Sequence, residues 1–336
     1  MPLISTLNDK QFVAEANETL LDAALRANVI LEHSCKTGRC GTCKSQVAVG
    51  NTVATLDESG LTPAEKLSGW VLTCARSAIN DVQLAIEDLG DFKLFPAKTY
   101  PCRIQSLEML APDVLKVVLR LPPQQHLAYY PGQYIDVIGP GGIRRSYSVA
   151  NAPSAEKYIE LHIRQVADGA MSDYWFEQAK PNDLLRLHGP LGTFFLRDVA
   201  DLELILLATG TGMAPIKALL ESLNQMPDAL KPQTVHVFWG GRTAADLYLN
   251  PADFPGQRNY TPVLSRADGE WQGVRGHVQQ AVLAAKINLA QAAVYACGSP
   301  AMIDSARAQL VSAGLEPRHF HSDAFVSSSQ NLKVNL

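Results

Sequence analysis

The spacing of apolar residues along the chain changes twice, and these changes divide it into three segments. From residue 1 to about 92, short strand patterns flank one helical pattern, TLLDAALRAN, in which one face carries Leu20, Leu21, Ala24 and Leu25. Strands are predicted at PLIST, KQFVAE, SQVAV and VLTCA. This segment is therefore predicted to form a small domain of short strands and one helix.

The second segment, from about residue 98 to 200, is a series of strand patterns separated by glycine and proline. Strands are predicted at CRIQSLEML, VLKVVLRLP, GQYIDVIG, RRSYSVAN, YIELHIRQV and LLRLHGP, with one helix around MSDYWFEQA. Such a series is typical of a small antiparallel barrel. The preceding stretch GDFKLFPAKTYP contains Pro96 and Pro101 and predicts a linker over residues 93–100.

In the third segment, from about residue 201, strand and helix patterns alternate. ELILLATG is followed by APIKALLESLN, VHVFWGG, YTPVLSR, VQQAVLAAK, AVYACGS, AMIDSARAQLVSAG and HFHSDAF. Alternation of this kind predicts a parallel sheet covered by helices. We therefore predict a multidomain α/β protein with domains at residues 1–92, 101–200 and 201–336.

Length and composition agree with several globular domains. The chain has 336 residues, too many for one core, with 47% hydrophobic residues and a mean hydropathy near zero. The N-terminus shows no signal peptide, and the longest apolar stretch, LELILLATG, is too short to cross a bilayer. We expect a cytoplasmic protein with reduced thiols and no membrane partner.

The net charge of −4 is unevenly distributed. Residues 1–92 hold 7 Lys+Arg and 12 Asp+Glu, a balance of −5, so residues 93–336, with 22 and 21, carry +1. An acidic first domain argues against a nucleic-acid partner. Its charge either steers the domain toward a basic docking face on an electron acceptor or merely keeps a small domain soluble.

Four cysteines of the first segment carry the most specific motif. Cys35, Cys40 and Cys43 are spaced C-x4-C-x2-C, and Cys74 follows after thirty intervening residues, which is the plant-type [2Fe–2S] spacing. Glycines between the ligands, in CKTGRCGTC, let backbone N–H groups approach the sulfurs. The alternatives are disulfides or a structural zinc, although only Cys40–Cys43 has the CxxC form of a zinc knuckle. The pattern needs no fifth thiol, so Cys102 is not predicted as a ligand.

Two motifs of the second segment indicate a flavin. In RSYS, the Arg145 guanidinium can donate two hydrogen bonds to a phosphate, and the Tyr147 ring can stack on an isoalloxazine. The Ser148 hydroxyl can reach a nitrogen of the isoalloxazine ring. Farther along, GAMS opens the predicted helix, whose first N–H groups suit a pyrophosphate; its candidate contacts are Gly169, Met171 and Ser172. The alternatives are ordinary polar decoration of a strand and a plain helix N-cap at Ser172.

Two motifs of the third segment indicate a dinucleotide site. GTGMAP follows a buried strand and opens a helix, where an α/β sheet binds phosphate; its candidate residues are Gly210, Thr211, Gly212 and Pro215. It matches neither G-x-G-x-x-G nor the P-loop, since Lys217 lacks that context. CGSP ends another strand, so Cys297 and Gly298 are candidate nicotinamide contacts, although Cys297 is alternatively a small buried hydrophobe.

RSYS, GAMS, GTGMAP and CGSP, in this order behind the cysteine motif, resemble the single-chain iron–sulfur flavoprotein reductases of the ferredoxin–NADP reductase superfamily. The resemblance covers nearly the whole chain. It implies a β-grasp plant-type ferredoxin domain, an antiparallel β-barrel FAD domain and a parallel α/β nicotinamide-nucleotide domain. It also implies that NADH or NADPH reduces FAD, FAD reduces the [2Fe–2S] cluster, and the cluster reduces a partner protein.

The resemblance also assigns roles to residues. Arg145, Tyr147 and Ser148 are expected to hold the flavin, with Gly169 and Ser172 at its pyrophosphate. Gly210, Thr211, Gly212 and Pro215 are expected along the nucleotide phosphates, and Cys297 beside the nicotinamide. Phe325 is expected near the flavin ring with Asp323 beside it, which makes Ser148, Cys297 and Asp323 the catalytic candidates. Asp323 stands where relatives commonly have glutamate, and SSSQNLKVNL continues past the aromatic residue where many relatives stop.

Nucleotide preference and electron acceptor are left open by the motifs. Ser265 and Arg266 follow a predicted strand near the expected adenosine ribose and suit a 2′-phosphate, yet the relatives that the chain resembles most use NADH, which is the expected donor. The acceptor is expected to be a dehydrase of 3,6-dideoxysugar synthesis, and the alternative is an oxygenase or hydroxylase component. A third, non-enzymatic hypothesis is a ferredoxin-type carrier or redox sensor, against which the intact RSYS, GTGMAP and CGSP motifs argue.

Overall fold

A computed structural model describes residues 1–90, 92–254, 256 and 258–326. The chain divides into two compact units, Met1–Phe95 and Pro96–Leu336. Within the described residues, no helix combines the length and the apolar character that crossing a membrane requires.

The first unit is a β-grasp fold in which short strands curl around one helix. Its strands are β1 (Leu3–Ser5), β2 (Gln11–Val13), β3 (Lys44–Val49), β4 (Thr52–Ala54), β5 (Trp70–Leu72), β6 (Arg76–Ala78) and β7 (Val82–Leu84), and its helices are α1 (Leu20–Arg26) and α2 (Pro63–Leu67). The main sheet has the order β2-β1-β7-β3-β5, and β4 pairs with β6. Helix α1 begins where the Thr19 hydroxyl accepts from Asp22 N at 3.0 Å, and its buried leucines pack into the core.

The second unit begins with a closed antiparallel barrel. Its elements are β8 (Lys98–Ala111), β9 (Val114–Arg120), β10 (Tyr134–Ile138), β11 (Arg144–Ser148), β12 (Tyr158–Arg164), α3 (Ala170–Asp173), a π-helical turn (Tyr174–Gln178) and β13 (Leu184–Leu191). The sheet order is β11-β10-β13-β8-β9-β12. A bridge between Val149 and Leu161 joins the two edge strands and closes the barrel. Strand β8 starts at Lys98, inside the predicted linker, and the predicted domain boundaries stay predictions.

A parallel sheet with helices on its faces completes the second unit. Its strands are β14 (Glu203–Thr209), β15 (Thr234–Gly241), β16 (Asn259–Leu264), β17 (Val274–Arg275), β18 (Ala292–Gly298) and β19 (Phe320–Ala324), and its helices are α4 (Met213–Gln225), α5 (Val278–Ala284) and α6 (Pro300–Ser312). The order is β17-β16-β15-β14-β18-β19. The strand order reverses between β14 and β18, which is the point where open α/β sheets bind ligands.

Strand β12 has two different faces. Its odd-numbered side chains fill the barrel core, where they are almost completely buried: Ile159, Leu161 and Ile163. Its even-numbered side chains are polar and contact the parallel-sheet domain: Glu160, His162 and Arg164. One strand therefore closes the barrel and docks the next domain, because successive side chains of a strand point to opposite faces.

Gly212 sits where the turn after β14 touches the end of β18. A Cβ at this position would overlap the carbonyl oxygen of Cys297 and lie 3.1 Å from Gly298 N. The backbone of the turn can approach β18 this closely only without a side chain.

We expect Gly212→Ala to destabilise the second unit by about 1–3 kcal/mol, since the turn must move away from β18. Gly269→Ala is the matched control, because a Cβ at this exposed glycine meets no atom within 4 Å. Chemical denaturation followed by tryptophan fluorescence compares the two variants. Equal unfolding free energies would contradict the tight contact.

Candidate functional site

Four thiols of the first unit lie together around the loop between α1 and β3. The Sγ atoms of Cys43 and Cys74 are 3.3 Å apart, and the thiols of Cys35 and Cys40 hydrogen-bond to each other. Cys43 and Cys74 are buried, whereas Cys35 and Cys40 are half-buried. The thiols thus form two pairs, one enclosed and one toward the surface.

Two adjacent pairs of thiols fit a two-iron cluster, since a [2Fe–2S] centre of this type takes four Cys ligands. The described residues contain no group of three or more His, Cys, Asp or Glu side chains spaced to hold one metal ion. The two thiol pairs are therefore the structural evidence that a two-iron cluster fits here. Cys102 belongs to the second unit, in the barrel core, where burial raises the pKa of its thiol to about 12. The assignment of the four ligands stays a prediction.

Hydrogen bonds to the Cys35 sulfur favour its thiolate form. The Cys40 thiol lowers the pKa of Cys35, and Thr37 and backbone N–H groups lower it further despite partial burial. The N–H groups of Thr37 and Cys40 donate to Cys35 Sγ, each at 3.4 Å. Because the thiolate is the ligating form, these contacts favour the charge state that ligation requires at Cys35. The hydrogen bond with Cys35 and burial instead raise the pKa of Cys40, so the protein alone favours one thiolate in this pair.

A second loop braces the cysteine loop. Gly38 has a φ of 73°, and a Cβ there would overlap the carbonyl oxygen of Asp57. In the same second loop, the buried Glu58 pairs with Arg76 at 2.7 Å, two residues beyond the last predicted ligand. The sequence does not indicate Glu58, because its partner lies 18 residues away in another element.

Strand β11 carries the predicted flavin residues on alternating faces. Arg145 and Tyr147 share one face, and Ser148 lies on the other. The Tyr147 hydroxyl accepts a hydrogen bond from Trp175 Nε1 at 3.0 Å, and the two rings meet edge to face. Burial raises the pKa of Tyr147 to about 12. The hydroxyl therefore keeps a proton that it can donate to a ligand.

The GAMS segment is built differently from the predicted helix start. The helix N-cap is Gly169, and helix α3 ends at Asp173 in the π-helical turn. Ser172 is not the N-cap: it is buried, and its hydroxyl oxygen accepts from Val166 N at 2.9 Å. Met171 is also buried in the barrel core. Ser172 thus closes the loop before the helix, which sets the position of Gly169.

The barrel and the parallel sheet meet at the predicted catalytic residues. Ser148 Oγ donates to Asp323 Oδ2 at 3.4 Å, across 175 residues of sequence. Asp323 is opposite Cys297 in the register of β18 and β19. Cys297 is fully buried, and burial followed by the Asp323 charge raises the pKa of its thiol. The thiol is therefore neutral, and it packs in the core below the strand end.

A cavity of about 610 Å³ lies at the carboxyl ends of β14, β15, β16 and β18. Five predicted site residues line it: Gly210, Thr211, Ser265, Gly298 and Phe325. Three others are buried and do not line it: Gly212, Pro215 and Cys297. The N–H of Phe325 donates to Gly298 O at 2.8 Å, which holds the Phe325 backbone at the cavity edge. The segment SSSQNLKVNL lies outside the described residues.

Arg266 does not line this cavity. It borders a neighbouring cavity of about 350 Å³ together with Arg242 and Asp246. Ser265 N donates to Gly241 O at 3.0 Å and Arg266 N to Arg242 O at 2.8 Å, so the backbone after β16 is held against the end of β15. The expected preference for NADH stays a prediction.

Arg164 is a candidate phosphate ligand that the sequence motifs do not indicate. Its Nη1 pairs with Asp246 at 2.8 Å and Asp113 at 2.9 Å, while Nε and Nη2 are buried without a hydrogen-bond partner in the described part of the chain. The guanidinium borders the cavity beside Gly210. Unused guanidinium donors suit an anionic phosphate. The only trace of Arg164 in the sequence is the alternation of polar and apolar residues in ELHIR. The role of its polar residues depends on contacts with the neighbouring domain, which the sequence does not show.

Family models match three consecutive parts of the chain. A 2Fe-2S iron-sulfur cluster binding domain matches residues 5–78, an oxidoreductase FAD-binding domain matches residues 101–196, and an oxidoreductase NAD-binding domain matches residues 206–308. These are the cofactors that the motifs predict, in the same order.

Relatives match over almost the full length. The CDP-6-deoxy-L-threo-D-glycero-4-hexulose-3-dehydrase reductase of Yersinia pestis is 40% identical over 321 residues, covering 94% of this chain and 96% of the relative. This chain belongs to the iron–sulfur flavoprotein reductases of the ferredoxin–NADP reductase superfamily. The phenol hydroxylase P5 protein of Acinetobacter pittii is 33% identical over 328 residues, covering 94% of this chain and 91% of that protein.

A solved reductase structure has the same fold over the full chain. The cytochrome P450 reductase of Amycolatopsis is 29% identical with a TM-score of 0.73, covering 98% of this chain and 100% of that one. The predicted fold class, a β-grasp ferredoxin domain followed by an FAD barrel and a parallel nicotinamide-nucleotide domain, is confirmed.

The reductase is an NAD(P)H-dependent iron–sulfur flavoprotein oxidoreductase, and its cofactors are a [2Fe–2S] cluster, FAD and NADH or NADPH. These predictions are confirmed, and the hypothesis of a carrier without turnover is wrong. When bound, nicotinamide supplies a hydride, FAD accepts its two electrons and releases them singly, and the cluster carries one electron at a time. The thiol pairs, Tyr147 and the unused donors of Arg164 fit these groups.

Cys74→Ala is expected to abolish the cluster, because it removes one ligand of the enclosed pair. Cys102→Ala, in the barrel core, is the control and should keep about two irons and two sulfides per chain, like the unaltered protein. Iron and acid-labile sulfide are measured after anaerobic purification. Full cluster content in Cys74→Ala, or zinc in place of iron, would defeat the ligand assignment.

Arg145→Ala is expected to weaken FAD binding about 10- to 150-fold, since a charge-assisted hydrogen bond contributes about 1.5–3 kcal/mol. Arg144→Ala is the matched control, because Arg144 is the adjacent residue and pairs with Asp136 at 2.6 Å. Flavin titration of the apoprotein gives both affinities, and chromatography of the released flavin should identify FAD. Equal losses in the two variants, or release of FMN, would refute this flavin site.

Proposed function

We propose that this reductase supplies electrons to the dehydrase that acts on a CDP-6-deoxyhexulose in the synthesis of 3,6-dideoxysugars. The observation that carries the proposal is the 40% identity to a dehydrase reductase, against 30–33% for reductase components of phenol, terephthalate and xylene/toluene oxygenases. Both groups match over nearly the whole chain, so the difference does not come from one shared domain.

The four thiols, the residues of β11 and Gly210 keep their predicted roles in this proposal. The four thiols ligate the cluster, while Arg145, Tyr147 and Ser148 hold FAD. The nucleotide lies in the cavity at the carboxyl ends of β14, β15, β16 and β18, with its phosphates near Gly210 and Arg164. The contact between Ser148 and Asp323 supports placing the reacting rings between the barrel and the parallel sheet, because it joins the flavin strand to the strand beside Cys297.

The acceptor is proposed to approach the outer thiol pair. Cys35 and Cys40 are half-buried whereas Cys43 and Cys74 are enclosed, so the outer pair gives the shorter path to a partner. Leu56 lies beside the segment that carries Cys74, where its N–H donates to Ala75 O at 3.3 Å, and its side chain is 47% exposed. An exposed leucine in this part of the first unit suits a transient protein contact.

The acidic charge of residues 1–92 supports docking on a basic face of the acceptor. Charge-assisted docking is screened by salt, since the Debye length falls from about 10 Å at 0.1 M to about 3 Å at 1 M. Electron transfer to the acceptor is therefore expected to slow as ionic strength rises. An oxygenase acceptor would behave in the same way, so salt dependence addresses docking and not identity.

The electron count also suits the dehydrase. Two electrons must reach the sugar one at a time, and a reduced cluster delivers one electron in each encounter. Two successive encounters with the reductase therefore complete one reduction.

Mixing the reductase with NADH, a CDP-6-deoxyhexulose dehydrase and its CDP-sugar substrate is expected to yield the 3,6-dideoxy product, because the cluster then has its proposed acceptor. Product is measured by chromatography under anaerobic conditions. A parallel reaction, run in air because hydroxylation consumes O2, contains a phenol hydroxylase component and phenol in place of the dehydrase and sugar. Reduction of ferricyanide serves as the control that NADH and flavin react normally.

The dehydrase proposal would be wrong if no dideoxy product forms while the hydroxylase turns over and ferricyanide reduction is normal. An oxygenase component would then be the proposed acceptor. Product formation that persists in Cys74→Ala would show that the sugar is reduced without the cluster.

A further inference from the structure

The polar face of β12 belongs to a buried network that ties the barrel to α4. Glu160 Oε1 accepts from His162 Nε2 at 2.8 Å and pairs with Lys217 Nζ at 3.1 Å. Lys217, on α4, also pairs with Glu221 at 2.6 Å and donates to Ala150 O at 3.1 Å. Since Glu160 and Ala150 belong to the barrel, Lys217 links the two domains.

The protonation states within this network are determined by its surroundings. Burial lowers the pKa of His162, so the ring is neutral. Burial opposes ionisation of Glu160, but His162 and Lys217 together lower its pKa to about 2. The carboxylate is therefore charged and accepts the Nε2–H of His162. This tautomer leaves Nδ1 as an acceptor, and Tyr248 Oη lies 3.1 Å from it.

Tyr248 continues the network to the glycine turn after β14. Its ring meets that of Trp239 perpendicularly, with the centroids 5.1 Å apart, and meets the His162 ring in the same manner. Trp239 is fully buried, and its Nε1 donates to Gly210 O at 3.0 Å. Gly210 borders the nucleotide cavity. A continuous path of contacts thus runs from β12 of the barrel to the wall of the nucleotide site.

The network holds the glycine turn after β14 at both of its ends. One branch passes from His162 through Tyr248 and Trp239 to Gly210, at the start of the turn. The other branch passes from His162 through Glu160 to Lys217, in the helix that follows. A buried polar network with every member paired is rigid, because any displacement leaves a buried group without its partner.

We propose that His162 is a positioning residue for hydride transfer, which holds the nucleotide-binding turn at a fixed distance from the flavin-binding barrel. Hydride transfer requires the reacting atoms at about 3–3.5 Å, and a displacement of about 1 Å can cost about 100-fold in rate. The nucleotide and the flavin are bound by different domains, so their separation depends on the contact between these domains. The proposal rests on the reductase activity and not on the identity of the acceptor.

Two variants break the same link from opposite sides. Tyr248→Phe removes the hydroxyl that donates to His162 and keeps the ring against Trp239. His162→Gln keeps an amide N–H for Glu160 and removes the ring nitrogen Nδ1 that accepts from Tyr248. Tyr260→Phe is the control, because Tyr260 lies on β16 against Phe254 and outside the network. All are purified with FAD bound.

Stopped-flow reduction of the flavin by NADH, without any acceptor protein, gives the limiting rate and the nucleotide affinity separately. Each network variant is expected to lower the limiting rate about fivefold, and the double variant also about fivefold instead of 25-fold, since both changes break one link. Tyr260→Phe should leave the limiting rate unchanged.

Limiting rates within twofold of the unaltered protein in both single variants would overturn the proposal, even if their melting temperatures fall, because the network would then be structural only. Multiplicative losses in the double variant would also overturn it. If one single variant does not fold with FAD, the limiting rate of the other decides.

Discussion

The arrangement of this reductase depends on the alternation of side chains along β12. One strand must close the flavin barrel with its apolar face and hold the nucleotide domain with its polar face. The pleat of the strand satisfies both demands, because Leu161 points into the barrel while His162 points out of it. A shift of one residue in register would place charged side chains in the barrel core and leave α4 without its partners.

Electron counting explains why the reductase needs three cofactor sites. A nicotinamide gives two electrons together, whereas a [2Fe–2S] cluster takes one, so a flavin must stand between them. The second unit performs the two-electron step, which requires close and fixed rings. The first unit carries the cluster on a separate compact fold with a half-buried thiol pair. Precise positioning and partner access are thus assigned to different units.

Local spacing made much of the molecule predictable. The cysteine spacing, the alternation of strands and helices after residue 201, and the glycine turn after β14 are contained in short segments, and the fold and cofactors that they predict are confirmed. Contacts between distant segments were not predictable. Arg164 meets Asp246 82 residues later, and Lys217, which fits no phosphate motif, binds a carboxylate of the barrel. The N-cap at Gly169 in place of Ser172 depends likewise on the Val166 contact, which the motif alone does not show.

Rapid-freeze measurement of the two redox centres tests the central claim most directly. The protein is mixed with NADH under anaerobic conditions, flavin absorbance is followed by stopped flow, and the reduced cluster is followed by EPR in freeze-quenched samples. We expect the flavin to be reduced first and the cluster signal to follow, and we expect flavin-free protein to show no cluster reduction by NADH. Cluster reduction at the same rate in flavin-free protein would contradict electron flow through FAD.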